Sequence, residues 1–151
     1  MPTHYLPEGY HCVIPYLAVH DAKAAIEFYK KAFNAQEVMR MPSPDGRISH
    51  AEMKIGDAHI MLSDEFPQMN ARGPKAIGGT PVKIMIYVPN VDKVVDQAVA
   101  AGATLDRPVA DQFYGDRNGG VTDPFGHVWF VATHVKDVTP EEMKKAMSKE
   151  A

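Results

Sequence analysis

The signals for secondary structure occur twice in the same order along this chain, and this internal repeat restricts the fold more than any other feature of the sequence. An apolar, strand-like segment at Cys12–Val19 precedes a helix-like spacing of apolar residues over Asp21–Phe33. Three more strand-like segments follow, at Gln36–Met41, Arg47–Ile55 and Ala58–Ser63. The pattern predicts a βαβββ module over about residues 10–63.

The second half of the chain predicts the same order of elements. Pro81–Val88 is strand-like, and Asn90 is placed to cap a helix that ends at Gly102. Three strands are predicted after it, at Thr104–Val109, Gly119–Asp123 and His127–His134, with an irregular loop at Asp111–Asn118. The second module therefore covers about residues 81–134, and an offset of 69 residues places Met61 on Phe130.

Two such modules predict an α+β fold in a single domain over residues 1–151. Residues 64–80, rich in Gly, Pro and polar residues, are interpreted as a linker. A capping sequence at Thr139–Glu142 predicts a helical tail over residues 139–150, with a frayed tail as the alternative. One helix covers only one face of each sheet, so the other face must be covered by the second module or by a partner chain, or must enclose a ligand. We expect a shared cleft, and the spacing does not decide whether the modules pair within one chain or between subunits.

Composition and charge exclude several classes of protein. The chain has 151 residues, of which 45% are hydrophobic, which is enough for a folded core. Its net charge of −3 argues against binding to nucleic acid or to an anionic membrane. No apolar run approaches the roughly 18 residues of a membrane span, and the start lacks the pattern of a signal peptide. With Cys12 as the single cysteine, we expect a cytoplasmic protein without disulfides.

Alternation along the strands divides their side chains between two faces. The set expected under the helices is Val13, Leu17, Val19, Ile60, Leu62, Val82, Ile84, Ile86, Val88, Trp129 and Val131. The opposite set is mixed and contains Cys12, Ile14, Tyr16, His59, Met61, Ser63, Lys83, Met85, Tyr87, Val128, Phe130 and Ala132. Aromatic residues and methionines beside a few polar groups are typical of a site for a small molecule.

Several motifs resemble those of the vicinal oxygen chelate superfamily, which groups glyoxalase I, bleomycin-resistance proteins and extradiol dioxygenases. The motifs are Val19–Asp21 with Ala24–Tyr29, Ala101–Ala103, Tyr114–Arg117 and Asp123–Trp129. Residues 112–138 look especially similar to the PhnB-like branch, most of whose members have no assigned reaction. The resemblance covers nearly the whole chain and implies the paired-module fold and a homodimer, which the predicted sheet edges also favour.

The resemblance also implies where a metal would sit. Relatives with metal chemistry hold it with four side chains, usually His, Gln or Glu, and alignment places those positions on Ile14, Met61, Lys83 and Phe130. None of these offers a suitable ligand to a divalent ion, so we expect no metal and no other cofactor. An alignment slip of two residues would bring in His59 or Ser63 with Tyr16 and Tyr87, which is still a poor set of ligands.

Three further features have a functional and a structural interpretation. His50 and Glu52 share one face of a predicted strand, with Asp64 and Glu65 possible neighbours, and would suit a metal or acid–base site. A solvated strand face is favoured for this pair. Lys83 needs water, an acid or an anionic ligand, and reaching the rim is its favoured role. The loop containing Gln112, Tyr114, Asp116 and Arg117 either overhangs the cleft or bonds within its own turn.

The sequence therefore predicts a protein that binds a small, anionic or aromatic molecule without a metal, as bleomycin-resistance relatives do. The expected binding residues are Tyr16, Met61, Lys83, Met85, Tyr87, Tyr114, Arg117 and Phe130. No catalytic residue is assigned. The alternative is a metal-dependent lyase or dioxygenase with displaced ligands, and a third hypothesis is an interaction module without a ligand.

Overall fold

The structure is a computed structural model that describes residues 3–150. The chain divides into two compact units, one ending at Thr80 and the other beginning at Pro81. Each unit contains one four-stranded mixed sheet and a helix that packs on it, as the repeat predicts. The α+β fold class is thereby confirmed. The shared cleft and the single domain stay predictions.

The first unit has the predicted βαβββ order. Its elements are β1 at Tyr16–Val19, α1 at Ala22–Phe33, β2 at Gln36–Pro42, β3 at Ile48–Ile55 and β4 at Ala58–Asp64. In the sheet the strands lie in the order β1, β4, β3, β2, with β1 parallel to β4 and the other pairs antiparallel. The crossover through α1 allows β1 to run parallel to β4 at the edge of the sheet.

Helix α1 begins and ends where its sequence signals place it. The Asp21 side chain accepts a hydrogen bond from the Ala24 N–H at 3.1 Å, and Asn34 closes the helix in the left-handed conformation at φ 56°. The helix buries one apolar face, including Ile26 and Tyr29, while Leu17, Ile60 and Leu62 are buried from the sheet. These residues form the core of the first unit.

The second unit repeats this architecture. Its elements are β5 at Lys83–Tyr87, α3 at Val91–Ala101, β6 at Thr104–Asp111, β7 at Asp116–Thr122, β8 at Val128–His134 and a final helix, α4, at Pro140–Glu150. The strand order is β5, β8, β7, β6, which matches the first sheet. Asn90 caps α3 by accepting a hydrogen bond from the Lys93 N–H at 3.2 Å, as predicted.

The strand register confirms the offset between the modules. Tyr16 is paired with Met61 in the first sheet, and Met85, 69 residues after Tyr16, is paired with Phe130 in the second. The paired residues share one face of each sheet, opposite the helix. We call this face of either sheet its far face, because the helix packs against the other side.

Two apolar residues expected under the helices are exposed, so those two predictions are wrong. Val13 and Val82 are 81% and 63% exposed, because β1 begins only at Tyr16 and β5 only at Lys83. A proline precedes each strand, at Pro15 and Pro81, and proline has no N–H to donate to a sheet. The strands predicted from apolar character are therefore longer than the hydrogen-bonded strands of the structure.

The long irregular loop predicted at Asp111–Asn118 is also wrong. Strands β6 and β7 pair up to Asp111 and Arg117, which leaves a short hairpin closed by a hydrogen bond from the Gln112 N–H to the Asp116 carbonyl at 2.7 Å. Gly115 has φ 98°, and a Cβ there would lie 2.1 Å from the Lys136 carbonyl oxygen. The Gly and polar residues that suggested a loop instead form this turn and strand.

The segment interpreted as a linker has structure of its own. Asp64 belongs to β4, a single 3₁₀ turn occupies Pro67–Met69, and a short helix, α2, spans Pro74–Ile77. An isolated bridge joins Phe66 to Ala71. In the tail, Thr139 caps α4 by accepting from the Glu142 N–H at 3.1 Å, which agrees with the capping sequence. Among residues 3–150, the helices are all too short or too polar to cross a membrane.

Candidate functional site

A pocket of about 280 Å³ lies in the first unit. Its walls come from the far face of the sheet and from the segment after β4, and they are formed by Tyr16, Ser49, Ser63, Phe66, Met69 and Ala71. The bridge between Phe66 and Ala71 folds that segment back on itself, which brings Phe66, Met69 and Ala71 to the pocket. The pocket is mostly apolar with a few hydroxyl groups, which is the usual character of a site for a small molecule.

A chain of hydrogen bonds leads from this pocket along the far face. The Tyr16 hydroxyl lies 2.7 Å from His50 Nδ1, and His50 Nε2 lies 2.8 Å from Glu52 Oε2. The other Glu52 oxygen accepts a hydrogen bond from the Tyr10 hydroxyl. His50 and Glu52 side chains are only 24% and 16% exposed, so the favoured interpretation of a solvated strand face is wrong.

Charges and hydrogen bonds set the protonation of this chain of groups. The Tyr10 hydroxyl, and after it His50, lower the pKa of the Glu52 carboxyl. Burial raises the pKa of the Tyr16 phenol, while a hydrogen bond with Ser63 acts in the opposite direction. The hydrogen bond to Glu52 raises the pKa of Tyr10. Glu52 is therefore the anionic group, and both tyrosines keep their protons at neutral pH.

His59 packs beneath Tyr10 on the same face. The two rings stack with their centroids 3.7 Å apart, and His59 is only 7% exposed. Its Nδ1 is buried without a hydrogen-bond partner among the residues that the structure describes. The ring therefore supports Tyr10, whose hydroxyl in turn positions Glu52.

In the second unit, the far face carries four of the predicted binding residues. Lys83, Met85 and Tyr87 are exposed on β5, and Phe130 lies next to Met85 on β8. The Lys83 ammonium lies over the Phe130 ring, 4.9 Å from its centroid, in a cation–π contact. Gly120 faces Phe130 across the strands, and a Cβ there would come within 3.2 Å of the ring, so glycine makes room for it.

A second polar network lies farther along the same face. The buried Asp116 carboxylate accepts from the Tyr87 hydroxyl at 2.7 Å and contacts His134 Nδ1 at 2.8 Å. His134 Nε2 lies 2.7 Å from Asp137. The bond to Asp116 raises the pKa of Tyr87, and the two carboxylates, Asp137 first, raise the pKa of His134.

Tyr114 and Arg117 occupy different surroundings. The Tyr114 hydroxyl accepts a hydrogen bond from the Asn118 amide at 2.7 Å. The Arg117 guanidinium donates two hydrogen bonds, each 2.9 Å, to Asp92 at the start of α3, and a third to Asp111. Because strands alternate, Arg117 lies on the helix side of the sheet while Asp116 and Asn118 lie on the far face. The carboxylates of Asp92 and Asp111 therefore hold the Arg117 guanidinium on the helix side of the sheet.

The side chains at the four positions implied for a metal do not fit a divalent ion. Met61 offers a thioether, Phe130 a phenyl ring, and Lys83 an ammonium group already engaged with that ring. Ile14 precedes β1 and has no donor atom. Among residues 3–150, no cluster of three His, Cys, Asp or Glu side chains has the arrangement of a metal site. We therefore derive no chemistry through a metal.

Comparison with known proteins identifies the family. The model of the glyoxalase/bleomycin resistance protein/dioxygenase superfamily matches residues 10–131. The chain belongs to this superfamily. It is also 45% identical to the protein Mb0911c of Mycobacterium bovis over 137 residues, which are 89% of this chain and 90% of that protein.

Solved structures of this superfamily's fold agree. TioX from Micromonospora sp. ML1 is 27% identical and superposes with a TM-score of 0.66, over 82% of this chain and 98% of that one. The PhnB protein from Bacillus cereus, at 16% identity, gives a TM-score of 0.63 over 82% of this chain and 99% of that one. At such low identity the second likeness shows the fold alone, with the PhnB type among the structures that share it.

Sequence reasoning about this superfamily member found part of the site. It placed Tyr16, Met61, Lys83, Met85 and Phe130 on the far faces, where the structure has them. It gave no role to Tyr10 and placed Phe66 and Met69 in a linker. The available signal was the His50 and Glu52 pair, two residues apart on one strand.

The His134 network predicts a pH dependence of stability. The raised pKa of His134 in the folded protein means that its imidazolium stabilises the fold. This stabilisation is complete below the pKa that His134 has in the unfolded chain. It is lost as the pH rises through the pKa of His134 in the folded protein. We expect the Tm to fall across that window and to fall less in His134→Gln, as measured by calorimetry. A His134 pKa, titrated by NMR, at or below that of an unfolded peptide would contradict this.

Proposed function

We propose that this protein binds a small molecule with an aromatic or apolar body and, preferably, an acidic group. The pocket beside Tyr16 carries the proposal: its size of about 280 Å³ lies at the small end for ligand sites and suits a molecule built on one ring. Phe66 and Tyr16 supply aromatic walls, and Met69 supplies a polarizable side chain that adapts to ring edges.

We also propose that binding needs no metal. Support comes from the side chains at the four implied positions, because a thioether, a phenyl ring, an isoleucine and an ammonium group cannot form the usual set of ligands. The rival function is a metal-dependent lyase or dioxygenase with displaced ligands. The His50 and Glu52 pair favours it most, although both side chains are already bonded to tyrosines.

One experiment distinguishes these functions. Protein purified without chelator would be analysed for metals and then screened by thermal shift with Ni²⁺, Zn²⁺, Mn²⁺ and Fe²⁺, and separately with benzoate, benzyl alcohol and benzylamine. We expect stabilisation by benzoate and benzyl alcohol without bound metal. Stoichiometric metal that raises the Tm would overturn the metal-free function, and no response to any ring compound would overturn the binding function.

The preference for an acidic ligand is proposed from Lys83, for a molecule bound to the second unit by itself. On the far face of the second sheet it is the exposed cation over Phe130, where an anionic aromatic molecule would gain both charge and ring contacts. We expect Lys83→Met to weaken benzoate binding at this face of the second unit by about tenfold, or 1.4 kcal/mol, and to leave benzyl alcohol binding in the Tyr16 pocket unchanged. Methionine keeps the apolar stem of lysine. Calorimetric titration with both probes checks this, and an equal loss for both would exclude a charge effect.

A homodimer is part of the same proposal, as is a cytoplasmic location. Each four-stranded sheet has two edge strands, β1 and β2 in the first and β5 and β6 in the second. Exposed edges favour pairing with another chain. Light scattering at micromolar concentration would show twice the mass of the chain, and a monomer would contradict the proposal.

A further inference from the structure

The hydrogen-bonded groups behind the pocket have the order carboxylate, imidazole, phenol. Glu52 lies at one end, His50 in the middle and Tyr16 at the pocket wall, with distances of 2.8 Å and 2.7 Å between successive groups. We call these three residues the relay. Tyr10 anchors its carboxylate end, and Ser63, which also lines the pocket, interacts with its phenol end.

The hydrogen bonds fix the direction in which the relay can move a proton. The lowered pKa of Glu52 keeps its carboxyl ionised, so it accepts a hydrogen bond from His50 Nε2. In the neutral imidazole the other nitrogen, Nδ1, then has a lone pair and accepts the Tyr16 hydroxyl proton. Tyr16 donates its hydroxyl hydrogen to His50, so toward the pocket the Tyr16 oxygen acts as a hydrogen-bond acceptor.

We propose that the relay ionises a monocyclic phenol bound in this pocket, without a metal. The phenol O–H bond breaks as its proton passes to the Tyr16 oxygen, and the original Tyr16 proton passes to His50 Nδ1. The products are a phenolate that accepts a hydrogen bond from Tyr16 and an imidazolium paired with Glu52. One proton leaves the ligand and one arrives at His50, so no other reactant is needed. This inference rests on the proposed binding function and adds the class of ligand.

The surroundings suit the products of this transfer. Imidazolium and carboxylate form a close pair at 2.8 Å, and neither side chain is more than a quarter exposed, so water screens the pair only in part. Other basic groups lie near this part of the sheet. They include His59, which lowers the pKa of the Glu52 carboxyl, Lys54 across the strands from His59, and Arg47 over the Phe66 ring. Burial of Tyr16 opposes a tyrosinate, so the negative charge resides on the ligand.

The pocket walls favour a ring over an aliphatic chain. Phe66 and Tyr16 present aromatic surfaces, and the Met69 thioether is suited to contact a ring edge. Arg47 lies over the Phe66 ring, 4.3 Å from its centroid, and donates to the Glu65 carbonyl at 2.9 Å, which holds this part of the wall in place. A ring with one hydroxyl matches both the volume and the single acceptor that the relay offers.

The test uses 3-nitrophenol, whose phenolate absorbs visible light far more strongly than its neutral form and whose ionisation lies well above that of an ordinary imidazole. The full-length protein would be titrated into the probe about one pH unit below the probe's own pKa, where roughly a tenth is ionised in solution. We expect binding to produce mostly phenolate. In Glu52→Gln the ratio of bound phenolate to bound phenol should fall about tenfold, because the imidazolium has lost its partner.

Controls separate the relay from general effects of charge or folding. His50→Gln should behave as Glu52→Gln does, and circular dichroism of each variant would establish that it folds. His11→Gln removes an exposed imidazole that lies 3.7 Å from Asp57, and Tyr5→Phe removes an exposed phenol. Both should match the unmodified protein. NMR of the His50 ring should show protonation when the probe binds.

The outcomes are distinct. A probe that binds to the unmodified protein as the neutral phenol would overturn the relay and leave the binding function intact. Phenolate formation that persists in both Glu52→Gln and His50→Gln would also overturn it. A probe that does not bind at all would count against both proposals.

Discussion

Replacing Asp123 with alanine should destabilise the protein by about 3 to 4 kcal/mol, because three donors lose one buried acceptor together. The Asp123 carboxylate is 2% exposed. One of its oxygens accepts from the N–H groups of Phe125 and His127 at 3.0 and 2.9 Å, and the other accepts from the Trp129 indole at 2.9 Å. Equilibrium unfolding in urea, followed by far-UV circular dichroism, measures the loss.

Two further variants show which interactions of Asp123 account for the loss of stability. Trp129→Phe removes only the indole donor and should cost less than Asp123→Ala. Asp57→Ala removes a carboxylate that is almost fully exposed and should change stability by less than about 0.5 kcal/mol. A cost below about 1 kcal/mol for Asp123→Ala would mean that water replaces the carboxylate and that the turn does not depend on it.

The fold was predictable because its signals are local. Strand alternation, the apolar spacing of α1 and the capping residue Asn90 are each contained in a few neighbouring residues. The same signals say little about where hydrogen bonding begins. Val13 and Val82 have the apolar, β-branched character of strand residues, yet both are exposed. Val13 lies before Pro15 and Val82 follows Pro81, in each case outside the hydrogen-bonded strand.

The site was less predictable because its parts come from segments without a periodic pattern. Tyr10 lies before the first strand, and nothing local indicates that its ring will stack on His59 and its hydroxyl bond Glu52. Phe66 and Met69 lie in a segment rich in Gly and Pro, and the residues of a turn do not indicate which surface of the protein the turn packs against. Tertiary packing alone connects the His50 and Glu52 pair to Tyr16, which lines the pocket.

The internal repeat also conserves a structural role while changing the residue that performs it. Asp64 on β4 accepts a hydrogen bond from the N–H of Ala22, the first residue of α1, at 2.9 Å. Thr133 on β8, 69 residues later, accepts from the N–H of Val91, the first residue of α3, also at 2.9 Å. In both units a side chain from the last strand satisfies a helix N–H that has no partner within the helix.

Asp64 accepts a second hydrogen bond, which Thr133 does not, and we therefore expect its replacement to lower the stability of the fold strongly. Its other oxygen accepts from the Ile48 N–H at 2.7 Å, where β3 begins. Asp64→Ala leaves two buried N–H groups without this acceptor and removes a negative charge from the positive end of α1. We expect a loss of about 2 to 4 kcal/mol in urea unfolding, with faster amide exchange at both Ala22 and Ile48.

The decisive comparison is Asp64→Thr, which places the residue of the second module in the first. Its single hydroxyl can accept from the Ala22 N–H, as the Thr133 hydroxyl accepts from Val91, but it cannot also reach Ile48 in the same geometry. We expect Asp64→Thr to cost about half as much as Asp64→Ala, with amide exchange accelerated at Ile48 and little changed at Ala22. Equal costs for the two variants would show that the hydrogen bond to the helix contributes little, and that the charge of Asp64 and its bond to Ile48 stabilise this unit.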